Sequence, residues 1–101
     1  VLFGAVGWVA GLVNSFPRES VRLFELARDG KVDEAVELYR WFMPLLHLDV
    51  DVKLVQMIKL ANQITGEGSE WVRGPRLTLE GEERWMVTET VETALANRPS
   101  L

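Results

Sequence analysis

Residues 1–20 read VLFGAVGWVAGLVNSFPRES, and the fold turns on how this stretch is read. Thirteen consecutive apolar or glycine residues, Val1 to Val13, come before the first polar side chain, with glycine at positions 4, 7 and 11. The run is too short to cross a bilayer, which takes about 20 apolar residues, and it lacks the basic flank in front of a signal-peptide core. Each glycine inside a helix would cost about 1 kcal/mol relative to alanine, which disfavours a helix. A buried strand fits better. Strands covered on both faces, as in parallel sheets, read as unbroken apolar runs, and Ala5 to Val13 reads that way.

Downstream the pattern changes to helical. Pro17 suits the first turn of a helix and Gly30 a helix stop. Between them Val21, Leu23, Phe24, Leu26 and Ala27 oppose Arg18, Arg22, Glu25 and Asp29. A second helix carries a stripe of Val32, Ala35, Val36, Tyr39, Phe42 and Met43, with Asp33, Glu37 and Arg40 opposite, and Pro44 should kink or end it. A third helix is expected over 52–65, stopping at Gly66. Next comes a connection rich in glycine and charge, then a last helix over 80–97 burying Val87, Val91, Ala94 and Leu95. One strand cannot satisfy its own backbone N–H and C=O groups. The expectation is therefore a C-terminal piece of a larger α/β protein, mainly α within this chain.

The composition narrows the function. The 101 residues suit one small domain, and 48% hydrophobic content is too high for disorder. Fifteen acidic against 11 basic residues give a net charge of -4, which repels nucleic acid and anionic membranes. The absence of cysteine excludes disulfides and thiolate chemistry and fits a cytoplasmic setting.

The segment from Gly4 to Leu46 resembles the end of the dihydrodipicolinate synthase and N-acetylneuraminate lyase family. The resemblance rests on the glycine-rich strand closing at Asn14, the Arg28-Asp29-Gly30 turn, and a helix with Ala35, Leu38, Pro44 and Leu45 at the family spacing. It continues through Asp51-Val52-Lys53 and through Val72 to Leu77. The wording is similar to members that deaminate a hydroxylated pyrroline carboxylate in hydroxyproline breakdown. The resemblance implies a (β/α)8 barrel, with residues 1–30 as its last strand and helix and 31–101 as an appended helical segment. It further implies a class I aldolase-type lyase, in which a lysine amine forms a Schiff base with a 2-oxo acid and no metal or organic cofactor is needed. The family's lysine and tyrosine relay lie on strands outside this chain, so the 101 residues alone are expected to be inactive. Val9, Ala10 and Gly11 would line the pocket, with the Val9 backbone near the substrate carboxylate and no hydroxyl supplied by Ala10 or Gly11. Full-length members are commonly homo-oligomers.

Other reactive residues have simpler readings. Lys53 and Lys59 read as solvated helix charges, because a Schiff-base lysine needs desolvation or nearby cations. His47 with Asp49 and Asp51 (HLDVD) could form a carboxylate–histidine site but reads as an interhelical loop. Glu82–Glu83 and Glu89–Glu92 read as the wet face of the last helix. Trp8 and Trp41 are expected to pack between strand and helices. On the residues alone, a non-catalytic helical assembly module is the competing class.

Overall fold

Pro17, with its preset φ and missing N–H, opens the first helix, α1, Pro17–Arg28. It is followed by α2 (Val32–Leu46), α3 (Leu54–Thr65) and α4 (Gly81–Ala96) in a computed structural model that describes residues 1–101. Short 3-10 turns, Leu12–Asn14 and His47–Val50, precede α1 and follow α2. The four helices lie within two residues of their expected limits, and 66–80 forms the irregular connection.

The strand expected over 4–13 has no ladder partner within this chain, as its lone occurrence implies, and its last residues depart from an extended course. Ala5 to Ala10 make no backbone hydrogen bond, Gly11 is already helical (φ −74°, ψ −50°), and Leu12–Asn14 coils into the 3-10 turn. A strand is held by ladder bonds to a neighbour, and no segment of this chain offers an edge. The chain is consequently all-helical in regular structure.

The stripe of α2 is also rotated from its expected setting. Ala35, Leu38, Phe42 and Leu45 are buried, while Val32, Val36 and Tyr39 face solvent. Both sets follow the i, i+3, i+4 rule, so periodicity alone does not choose between them. The choice falls to the face that meets α1 and α4. Pro44 does not end the helix. It sits in the last turn, and α2 continues to Leu46 before tightening into the His47–Val50 turn.

A single core joins the pieces. Leu12, Phe16, Leu45, Met57, Leu60, Val87 and Val91 are fully enclosed, and Phe16, Trp41 and Phe42 meet edge to face at ring distances of 4.9 to 6.3 Å. Lys53 pairs with Glu83 where α3 and α4 begin, and Arg84 pairs with Glu70 of the connection between them. Gly66 turns the chain into that connection at φ 82°, a conformation that favours glycine.

Side chains complete two of the backbone ends. The Trp41 indole Nε1–H donates to the Ala94 carbonyl at 3.0 Å, and no backbone N–H reaches that carbonyl. A helix leaves its last carbonyls without intrahelical partners, so Trp41 caps α4 from another helix. At the other end of the chain, the Leu12 N–H that starts the first 3-10 turn donates to Asp49 Oδ2 at 3.1 Å.

Candidate functional site

Val9, Ala10 and Gly11 lead into that first turn, and the structure does not place them on one face. Val9 is fully exposed on the side away from the helices. Ala10 is half-buried and borders a small apolar hollow with Trp8, Leu23 and Leu46. Trp8 stacks on Phe24 at 5.9 Å and Leu12 is buried in the core. Trp8 and Ala10 thus border the helices while Val9 between them looks outward, as side chains alternate along an extended segment.

Gly11 is where the segment is fixed. A Cβ at this position would fall on Asp49 Oδ1, with Asp49 Cγ 3.3 Å away. The same carboxylate takes the Leu12 N–H through its other oxygen. The space that a side chain would need at Gly11 is filled by the Asp49 carboxylate. Behind the turn, buried Ser15 donates its hydroxyl to Asn62 Oδ1, tying the turn to α3. Asn14 Nδ2 closes back on the Gly11 carbonyl at 2.8 Å.

The histidine and the two aspartates of HLDVD do not assemble. His47 is exposed, Asp49 turns to the Leu12 N–H, and Asp51 accepts the Lys53 N–H at 2.8 Å. No group of three or more His, Asp or Glu side chains is placed to hold a metal ion. Asp49 stood out in the sequence only as part of HLDVD, and Asn62 did not stand out. The partner of Asp49 is a backbone N–H 37 positions away, and no sequence pattern signals such a bond.

A family model described as the Dihydrodipicolinate synthetase family matches residues 1–94. The chain belongs to this family. No curated protein and no solved structure matches it. Membership places the chain among (β/α)8-barrel proteins with aldolase-type lyase and synthase chemistry on small molecules.

Against that chemistry the two lysines can be placed. Lys53 Nζ forms an ion pair with Glu83 Oε1 at 2.6 Å on an exposed surface, and Lys59 is half-buried on α3, well along the sequence from the Val9–Gly11 segment. Glu82 and Glu83 occupy the first turn of α4, where carboxylates favour the positive end of the helix dipole. Glu89 and Glu92 are exposed. Trp41 packs in the core, whereas Trp8 is 48% exposed and Trp71 and Trp85 are more so. No helix is long and apolar enough to cross a membrane.

Proposed function

We propose that this chain forms the end of a class I aldolase-type lyase or synthase, with residues 1–30 as the last barrel strand and helix and 31–101 as the appended helical segment. The substrate is a 2-oxo acid. A lysine on another barrel strand, outside these residues, attacks its keto carbon, water leaves, and the iminium draws electrons from the adjacent carbon for bond making or breaking. The backbone of Val9, Ala10 and Gly11 forms one wall of the pocket, with the Val9 backbone beside the substrate carboxylate. Within the family, a deaminase acting on a hydroxylated pyrroline carboxylate is the preferred subgroup, and working enzymes associate as homo-oligomers in the cytoplasm.

The observation that carries this reading is the two-sided character of residues 8–10. One set of side chains is bedded on α1 and α2, while Val9, an apolar residue, is left fully exposed on the other side. Barrel strands need such a pattern, because helices cover their outer face and neighbouring strands and the packed interior cover the rest. The open backbone of Ala5 to Ala10 supplies donors and acceptors for those neighbouring strands.

Trapping with pyruvate and borohydride tests it. The 101-residue chain should gain no mass at Lys53 or Lys59, and the enzyme that contains it should gain one pyruvyl adduct on a lysine outside these residues. An adduct on Lys53 or Lys59 would overturn the assignment of the chemistry to another strand, and an unlabelled enzyme would overturn the Schiff-base mechanism.

A further inference from the structure

The geometry assigns to Asp49 the role of a positioning residue, one that sets where the Val9–Gly11 wall stands by clamping the Gly11–Leu12 turn; this rests on the functional reading above. The clamp has two independent parts. Asp49 Oδ2 accepts the Leu12 N–H, a donor at the start of a 3-10 turn for which the backbone offers no partner. Asp49 Oδ1 packs into the space that a side chain at Gly11 would need. One carboxylate therefore fixes both the height of the turn, through the hydrogen bond, and its lateral approach, through contact with a residue that has no Cβ.

Asp49 is itself held in place. It lies in the 3-10 turn that continues α2, between buried Leu48 and the Asp51 turn that caps Lys53, and this turn packs on both α2 and α3. The carboxylate is thus carried by the helical layer, and it transmits the position of that layer to the strand end. Catalytic groups held within a fraction of an ångström depend on this kind of support, and a backbone displaced by about 1 Å loses substrate affinity. Asp49 touches no reacting atom in this arrangement, so its effect is expected on binding more than on the chemical step.

The experiment uses the enzyme that contains this chain, with steady-state kinetics on a 2-oxo acid and amide exchange at Leu12. Asp49→Ala should release the Leu12 amide to exchange and raise KM about tenfold with kcat changed less than about twofold, the signature of lost ground-state positioning. Asp49→Asn, whose side-chain oxygen can still accept the Leu12 N–H, should keep both values near those of the native enzyme. Gly11→Ala, which pushes the turn from the opposite side, should reproduce the rise in KM and covers the case in which Asp49→Ala does not fold. An unchanged KM in a folded Asp49→Ala with a released Leu12 amide overturns the proposal, as does a KM rise in Asp49→Asn with Leu12 still protected. An enzyme that leaves 2-oxo acids untouched overturns the functional reading and the positioning role with it; that failure is told apart from failure of the clamp because Leu12 exchange still responds to Asp49→Ala.

Discussion

Glu19, only 1% exposed, and Arg98, 79 positions away, meet in an ion pair of 2.5 Å, with the guanidinium 5.5 Å from the centre of the Phe16 ring. The pair joins the first turn of α1 to the residues just beyond α4, and so ties the two ends of the chain together. Glu19 Oε2 is buried without a partner, which makes Arg98 the one group that compensates this carboxylate.

Arg98→Ala should therefore lower stability by about 2 kcal/mol, below the cost of breaking a fully buried pair because the arginine side chain is 39% exposed and water can enter in its place. Urea unfolding measures it. Adding Glu19→Gln to Arg98→Ala should recover more than half of the loss, since the buried charge is then gone. Equal loss in the single and double variants would show that Arg98 acts through its packing on Phe16 instead. The hydrogen bond to Glu19 holds Arg98 above the ordinary guanidinium value, so raising the pH from neutral removes its contribution only in strong alkali.

A second charge relationship is visible in acid. The hydrogen bond from Arg28 holds the Asp29 carboxyl below its ordinary value of 3.8. A carboxyl lowered by folding contributes stability above its unfolded value and loses it as pH falls through the folded one. A titration of the side-chain carboxyl carbons by NMR should place Asp29 below 3.8, and Arg28→Gln should return it to the ordinary value. No change on that substitution would leave the hydrogen bond without a role in solution.

Much of this architecture was legible in residue order. Pro17, Gly30 and Gly66 punctuate the helices where proline and glycine conformations dictate, and Val87, Val91 and Ala94 form the inner face of α4 as their spacing indicates. The α2 stripe was not legible, because Val32–Val36–Tyr39 and Ala35–Leu38–Phe42–Leu45 are equally periodic and only neighbouring helices choose between them. The strand segment is unpaired for a related reason, since its apolar composition describes an environment that these 101 residues do not provide by themselves. At the site, Gly11 stood out and the cause of it did not. The small residue accommodates a carboxylate from a segment 38 positions away, a meeting created by tertiary packing.

The cap on α4 gives a third prediction. Trp41→Phe keeps an aromatic ring beside Phe16 and Phe42 but removes the donor to the Ala94 carbonyl. Leaving a largely enclosed acceptor unpaired should cost about 1 to 2 kcal/mol in urea unfolding. Exchange should quicken in the last turn of α4 and remain unaltered in α1. Uniform quickening in every helix would instead indicate a packing defect around the missing ring.

The close approach of Gly11 and Asp49 permits a test in which an effect changes sign. Gly11 has φ −74° and ψ −50°, angles that alanine adopts without strain, so nothing in the backbone itself requires glycine. The foremost obstacle is the Asp49 carboxylate, which supplies the three heavy atoms nearest the added Cβ. In the native background Gly11→Ala must displace that carboxylate or the turn, and it should cost about 1 to 3 kcal/mol by overpacking. With Asp49→Ala already in place the obstacle is gone, and the same Gly11→Ala should be neutral or should stabilise by about 0.5 kcal/mol through reduced freedom of the unfolded chain. The coupling in this double-mutant cycle, read from urea midpoints of the four proteins, is the contact itself. If the two substitutions add, Gly11 and Asp49 do not touch in solution, and the glycine has to be explained by something outside this chain.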